Sequence, residues 1–198
     1  IHIEYPPAME IDGRHRKQCQ RWNDPWDAHE LTFSCHRRRP FLLSDRIRSY
    51  FVAAVQKARE KHAFDVWAYV LMPEHVHPLI WPREEAYSVS SILKSIKQSM
   101  SRKAVNWLQR ENPDGLSQLA TGQKDSPYRF WLDGGGYDRN VRKGDTIRKV
   151  MDYIHGNPVK RGLVETPEDW EWSSCRDWTL GQAGPIPIDK ESRNRSLV

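Results

Sequence analysis

The sequence of 198 residues contains only three cysteines, at positions 19, 35 and 175. They lie far apart, and no two form a Cys-x-x-Cys pair, so neither a zinc ribbon nor a disulfide framework is expected. Such sparse cysteine fits a reducing cytoplasm. No stretch approaches the ~18 apolar residues of a membrane span, and no signal peptide is visible. We therefore expect a cytoplasmic protein with no membrane partner.

Positive charge and tryptophan are the features that the chain has in excess. Lys and Arg total 31 against 26 Asp and Glu, which gives a net charge of +5 and a pI of about 9.2. This sign suits a polyanionic partner, although a mildly basic surface without such a partner has the same composition. The nine tryptophans supply apolar surface for a core, and the length fits one domain.

Hydrophobic periodicity predicts an alternation of strands and helices. Alternating apolar residues predict a strand over 29–39, and Ser44 is expected to cap a helix that ends near His62. The remaining predicted elements are a hairpin of strands 64–72 and 75–81, a helix over 88–110, a strand over 137–141 and a helix capped by Asp145 or Thr146.

This order of elements predicts an α+β fold of the ferredoxin-like or RRM-like split βαβ type. Its antiparallel sheet would carry helices on one face, with an additional C-terminal helix. Residues 1–28 are predicted to form an N-terminal arm, 29–180 the domain and 181–198 a flexible tail. Pro78 lacks a backbone donor, so it favours an edge strand or a bulge in the second strand of the hairpin.

The motif His75-Val76-His77 lies within this second hairpin strand. Side chains alternate between the faces of a strand, so both imidazoles point one way and Val76 points the other. Two adjacent imidazoles are a ready pair of metal ligands. Two half-buried histidines bonded to backbone or water would show the same spacing, and the motif alone does not separate the two interpretations.

The predicted third helix supplies a nucleophile and a further ligand. Tyr153 and Asn157 are four residues apart and share one helix face. A tyrosine can attack phosphorus as the phenolate, and an ordinary phenol with pKa near 10 loses its proton at pH 7 at a cost of about 4 kcal/mol. Asn157 offers a neutral carbonyl oxygen, and Lys149 stands one turn before Tyr153. Each residue alone is more often structural, and the interpretation depends on their combination.

Several segments resemble the REP-associated tyrosine transposases, relatives of the single-tyrosine insertion-sequence transposases in the HUH endonuclease superfamily. The segments are AYVLMPEHVHPLI, SSILKSIKQSMSR, RFW, DYIHGNPVKRGLV and PEDWEWSSCRDW. They cover roughly residues 28–180, and YIHGNPVKRGLVE is the most specific of them.

The resemblance implies roles for four residues. His75 and His77 match the histidines that bind a divalent metal, Tyr153 matches the nucleophile, and Asn157 matches the polar residue that completes the metal site. The family cleaves and rejoins single-stranded DNA at imperfect palindromic hairpins through a 5′-phosphotyrosine. Its metal is usually magnesium or manganese, although two imidazoles and an amide suit manganese, zinc or nickel better than magnesium.

Basic residues outside this site are candidates for contacts with the DNA backbone. They are Arg37, Arg38, Arg39, Lys94, Lys97, Arg102, Lys103 and Lys149. We expect single-stranded DNA hairpins as partners, a nucleoid-associated location in a bacterial cytoplasm, and a monomer or a homodimer. The recognised hairpin, the metal and the assembly of the site in cis or in trans stay open.

Two positions, Glu74 and Pro78, depart from the family pattern, and Tyr137 is an alternative to Tyr153 as the nucleophile. Glu74 replaces a common asparagine and is a candidate for a further ligand or base, although its side chain is expected on the other strand face unless the turn rotates it. Pro78 replaces an aliphatic residue and can displace the strand that carries the histidines. Tyr137 follows a glycine triplet and is a second candidate nucleophile, but Val141, four residues later, cannot ligate a metal, so we prefer Tyr153.

Two other functional classes remain open from the sequence. A hairpin-binding protein without cleavage activity would need the same basic residues. A zinc-stabilised structural domain is less favoured, because the chain has two adjacent histidines and no cysteine cluster.

Overall fold

The computed structural model describes residues 10–11, 14–15, 21–134 and 136–195. Two short strands, β1 (Glu10–Ile11) and β2 (Arg14–His15), pair with each other. The elements that follow are β3 (Ala28–Ser34), α1 (Asp45–His62), β4 (Phe64–Leu71), β5 (His75–Pro82), α2 (Val89–Glu111), α3 (Pro113–Ser117), β6 (Tyr137–Val141), α4 (Gly144–His155), α5 (Asn157–Lys160), α6 (Cys175–Leu180) and α7 (Lys190–Arg195).

Strands β3 to β6 form one antiparallel sheet with the spatial order β4-β5-β3-β6. The first and third of these strands in chain order therefore lie in the middle, as the split βαβ plan requires. Residues of α1 and α2 share one buried cluster with one face of the sheet, and residues of α4 share a second cluster with the opposite face. The predicted fold class is confirmed, and α4 covers the second face, where Trp178 of α6 also packs.

Local signals set the helix boundaries closely. The Ser44 hydroxyl accepts a bond from the Ile47 N–H at 3.5 Å, and Ala63 takes a left-handed conformation that ends α1. Helix α4 starts earlier than predicted, at Gly144, and its N-cap is Lys143, which makes no side-chain cap bond. The expectation of a cap at Asp145 or Thr146 was therefore wrong by two or three residues.

Pro78 occupies an inner strand, in contrast to the prediction of an edge or a bulge. Its partner on β4 is Tyr69, whose backbone N–H and carbonyl bond instead to Ser174 on the outer side. The proline nitrogen, which has no hydrogen to donate, therefore faces β3. The pairing between β3 and β5 is interrupted there, at Leu31 and Thr32, and the register is the same on both sides of the interruption. The bulge lies in β4, between Val66 and Ala68.

The segment after α6 is bound to the domain, so the predicted flexible tail at 181–198 is wrong for the described residues 181–195. Ile186 lies in the core, only 1% exposed. The Asp189 carboxylate accepts a bond from the Val66 N–H at 2.8 Å and pairs with Arg59 at 2.6 Å. The sequence pattern did not reveal these contacts, because their partners lie more than 100 residues away in sequence. Residues 196–198 of that tail lie outside the described residues.

The N-terminal arm is described in part. Arg21 pairs with Asp138 of β6 at 3.1 Å, and the Trp22 carbonyl accepts a bond from Asn140. Cys19 lies outside the described residues, while Cys35 and Cys175 are buried free thiols. No helix in the described part of the chain is both long and apolar enough to cross a membrane.

Candidate active site

The alternation of β5 places the two histidines of the motif on the sheet face that α4 covers. Val76, between them, is fully buried on the opposite face with α1 and α2. The two imidazole rings stand edge to face with centroids 4.6 Å apart. His77 is buried, whereas His75 keeps 13% of its side chain exposed. The rings therefore form a rigid pair with limited access to solvent.

Each histidine is held through its Nδ1 atom. His77 Nδ1 lies 2.6 Å from the Thr32 hydroxyl of the neighbouring strand β3, and His75 Nδ1 lies 3.0 Å from Glu74 Oε1. Hydrogen-bonding partners of this kind fix the ring orientation and tautomer of metal-binding histidines. With the proton on Nδ1, both Nε2 atoms keep their lone pairs for a ligand.

Electrostatics around the pair follow from these contacts. Burial is the main cause that lowers the pKa of His77 to about 3, and the nearby His75 contributes to this shift, so His77 is neutral at pH 7. The hydrogen bond from His75 is the main cause that holds the pKa of Glu74 at about 2. Glu74 is therefore an ionised partner of His75. Of the two orientations expected for its side chain, the one rotated by the hairpin turn applies, since Glu74 Oε1 lies 3.0 Å from His75 Nδ1.

Glu74 also connects the histidine pair to the end of the helical segment. Its Oε1 atom accepts a bond from Arg161 Nη1 at 2.7 Å. Arg161 directly follows α5, so a single carboxylate oxygen links the β4–β5 turn to the chain that carries Tyr153 and Asn157. This contact joins segments 87 residues apart in sequence.

Helix α4 brings Tyr153 against the histidines. Its apolar face packs on Trp67, Val70 and Leu79 of the sheet through Ile147, Val150, Met151 and Ile154. This packing leaves the Tyr153 ring half-buried, with its centroid 5.9 Å from that of His77. The Lys160 ammonium lies 4.3 Å from the centre of the Tyr153 ring. A cation at this position stabilises negative charge that develops on the phenol.

Asn157 lies beyond the end of α4, with its amide nitrogen donating to the Tyr153 carbonyl at 2.9 Å. The bond uses Nδ2, so Oδ1 is the atom of this buried side chain that can ligate a metal. In the described part of the chain, no three His, Cys, Asp or Glu side chains are grouped to hold a metal. The donors present are two imidazole nitrogens and an amide oxygen, which fit a divalent ion of intermediate hardness.

Tyr137 lies on the same side of the sheet but farther from the histidines. It opens β6 and pairs with Thr32, so strand β3 separates it from β5. The structure therefore places the Tyr153 ring in contact with His77, and Tyr137 beyond the neighbouring strand β3.

The predicted DNA-contacting residues are spread over three elements. Arg37 and Arg38 are exposed and take left-handed conformations in a 3₁₀ turn after β3, next to the half-buried Arg39. Lys94, Arg102 and Lys103 are exposed on α2, and Lys149 is exposed on α4. The structure brings two of the eight together, because Arg38 and Lys97 line one small pocket.

Three residues of the site were not identified from the sequence: Thr32, Lys160 and Arg161. Lys160 follows Tyr153 by seven residues, which is a helical spacing and could have been recognised. The contacts of Thr32 and Arg161 depend on strand register and on a long-range ion pair, which have no local signature.

Comparison with known proteins identifies relatives of the chain. Residues 28–157 match the family model described as "Transposase IS200 like". A REP-associated tyrosine transposase of Escherichia coli K12 is 29% identical over 161 residues, which covers 80% of this chain and 81% of that protein. A Haemophilus influenzae protein given to the same group is 26% identical over 140 residues, covering 67% and 75%.

A solved structure supports the fold. The REP-associated tyrosine transposase solved bound to a REP hairpin superimposes with a TM-score of 0.66 and 23% identity, covering 88% of this chain and 92% of that one. The family model spans the sheet, α4 and Asn157, and the resemblance inferred from the sequence is confirmed. The chain belongs to the IS200-like transposase family and is related to the REP-associated tyrosine transposases.

Proposed function

We propose that this transposase cleaves and rejoins single-stranded DNA at palindromic, REP-type hairpins, with Tyr153 as the nucleophile. The observation that carries the proposal is the contact of the Tyr153 ring with His77 of the histidine pair. Both histidines of the pair are oriented by hydrogen-bonding partners at their Nδ1 atoms. The relative solved with a REP hairpin has the same fold, which supports a hairpin as the substrate class.

In the proposed reaction the Tyr153 phenolate attacks the scissile phosphorus. A bond forms between the phenolic oxygen and phosphorus, and the bond from phosphorus to the 3′-oxygen breaks. The 3′-oxygen leaves and takes a proton from water to become a hydroxyl, while the 5′ phosphate remains on Tyr153. An incoming 3′-hydroxyl reverses the step and joins a new strand.

The residues around Tyr153 prepare it for this reaction. The Lys160 ammonium favours the phenolate, which offsets part of the cost of removing the proton at pH 7. Helix α4, fixed on the sheet, holds the ring at a defined position beside His77, which supplies the orientation that in-line attack requires.

His75, His77 and Asn157 would hold a divalent ion, magnesium or manganese. Such an ion would neutralise charge that develops on the scissile phosphate. The neutral His77 ring and the orientation of both rings by Thr32 and Glu74 suit this role, because a protonated imidazole cannot ligate.

The test incubates the protein with a 5′-extended, labelled REP-type hairpin and manganese or magnesium, and looks for a covalent adduct on a denaturing gel. We expect an adduct with the parent protein and none with Tyr153→Phe. Tyr137→Phe is expected to retain the adduct, and Tyr50→Phe on α1 serves as a matched control. An adduct on Tyr153→Phe would refute the nucleophile. Hairpin binding without adduct under any metal would favour a binding protein that does not cleave.

A further inference from the structure

A small pocket lies at the open edge of β3, beside the first residue of β6. It has a volume of about 40 Å³ and is bounded by residues 32–34 of β3, by the loop residues 132–133 and 136–137, and by Arg38 and Lys97. This volume exceeds the ~10–15 Å³ that one water molecule needs. The pocket can therefore receive a group larger than a water molecule.

The position of the pocket relates it to the histidine pair. Ser34 of β3 pairs with His75, and the Thr32 hydroxyl bonds to His77, while both residues border the pocket. Neighbouring strands are ~4.8 Å apart, so the pocket lies one to two strand spacings, roughly 5–10 Å, from the histidines. One or two nucleotides of a DNA strand span that distance.

The walls of the pocket combine positive charge with an aromatic face. Arg38 comes from the turn after β3 and Lys97 from α2, where its ammonium is 4.9 Å from the Phe33 ring centre. Tyr137 also borders the pocket, and this residue is 38% exposed. Asp133 also borders the pocket, but Arg129 pairs with its carboxylate at 2.8 Å.

The loop wall is closely fitted to β3. A Cβ atom on Gly136 would lie 2.1 Å from the Thr32 carbonyl oxygen, and the φ of Gly136 is +72°. Only glycine allows this approach. The loop therefore enters β6 in close contact with β3, where Tyr137 pairs with Thr32.

We propose that this Arg38–Lys97 pocket binds one nucleotide of the DNA strand next to the cleaved phosphate. The phosphate of that nucleotide contacts Arg38 and Lys97, and its base lies against Tyr137. A guanidinium suits a phosphate, and an exposed tyrosine ring suits an unpaired base. The inference deepens the proposed function on which it rests, since it assigns a subsite to the same substrate strand.

The experiment measures binding of a short single-stranded oligonucleotide to the full chain in EDTA, so that cleavage plays no part. Arg38→Gln and Lys97→Gln are each expected to weaken binding about tenfold. Each is also expected to lower the slope of log K against log salt by about 0.7, the value for one phosphate contact on a single strand. Lys57→Gln, which removes an exposed charge from α1, is the control and should change neither quantity.

The base contact is tested at Tyr137. Tyr137→Ala is expected to weaken binding about tenfold, because base stacking on an aromatic ring is lost, whereas Tyr137→Phe keeps the ring and should bind like the parent. A 5-iodouracil oligonucleotide should crosslink to the peptide that contains Tyr137. Circular dichroism and thermal unfolding verify that each variant is folded.

Binding and crosslinking that are unchanged in all three variants would overturn the subsite, whatever the outcome of the adduct experiment. Reduced oligonucleotide binding in these variants, together with no adduct in the parent protein, would refute cleavage and leave the subsite intact. The two inferences therefore fail independently.

Discussion

At the residue scale, the notable feature is how firmly each histidine of the pair is oriented from outside the motif. The partner of His77 is a hydroxyl on the next strand, and the partner of His75 is the carboxylate of the preceding residue. Glu74 also forms an ion pair with Arg161, so one carboxylate orients His75 and contacts the chain after α5.

Removing Glu74 should therefore weaken metal binding. We expect Glu74→Ala to lower Mn²⁺ affinity by 10–100-fold, the usual effect of losing a partner of a metal-binding histidine. Glu74→Gln should lose less, since its amide oxygen can still accept from His75 Nδ1. Isothermal titration with Mn²⁺ measures both variants, and Glu84→Gln, an exposed glutamate, is the control. Equal affinity in Glu74→Ala and the parent would contradict the role.

The two described cysteines give a pH-dependent prediction. Burial raises the pKa of the Cys175 thiol to about 11 and also raises the pKa of Cys35. The thiolate is the reactive form, so at pH 8 only about 0.1% of Cys175 is ionised, and alkylation should accelerate as the pH rises toward 11. Iodoacetamide labelling followed by peptide mass spectrometry tests this. Labelling of the folded protein at the rate seen in urea would contradict it.

At the scale of elements, hydrogen bonds at the edge of β4 add to the apolar packing that holds α4 on the sheet. The Ser174 hydroxyl accepts a bond from the Tyr69 N–H at 2.9 Å and lies 2.9 Å from His155 Nε2. It thus joins the last residue of α4 to the sheet edge. The segment 172–174 also protects that edge from pairing with another chain.

Ser174→Ala is expected to destabilise the fold. It leaves the buried Tyr69 N–H without its partner, which costs about 1–3 kcal/mol of unfolding free energy. Urea denaturation followed by tryptophan fluorescence measures the change. Ser91→Ala, on the exposed face of α2, should change the same quantity by about 0.5 kcal/mol or less. A similar small effect for Ser174→Ala would show that the edge contact contributes little.

For the whole molecule, the C-terminal residues 181–195 bind along the edge of the sheet formed by β4. Asp189 bonds to β4 and to α1, and Trp67 donates its indole N–H to Ser192 at 3.0 Å. The segment thereby connects both layers of the domain. The contacts of Asp189 and Ser192, with Val66 and Trp67, lie toward the end of β4 that is remote from His75.

Asp189→Ala should destabilise the whole domain and leave the active site intact. The lost bonds to Val66 and Arg59 are expected to cost about 2 kcal/mol, a value reduced for partial exposure of the ion pair. Urea denaturation gives the stability, and the adduct assay at low temperature gives the activity. Asp125→Ala, in an exposed loop, is the control. Lost adduct formation in a folded Asp189→Ala protein would contradict this separation.

The sequence by itself determined the elements and the chemical identity of the site. Strand and helix periods predicted every element of the split βαβ plan, and the spacings His75-x-His77 and Tyr153-x-x-x-Asn157 placed side chains on common faces of local elements. These are local properties, in which neighbouring residues fix the geometry.

Only the tertiary structure decided how the faces meet. The register of β3 against β5 brings Thr32 to His77, the hairpin turn rotates Glu74 to His75, and the packing of α4 sets Tyr153 beside the pair. The same register places Tyr137 on the far side of β3, at the pocket that Arg38 and Lys97 share. Apart from the contact between the adjacent residues Glu74 and His75, these contacts join residues far apart in sequence. Strand pairing and packing fix them, because a shift by one residue would exchange the faces.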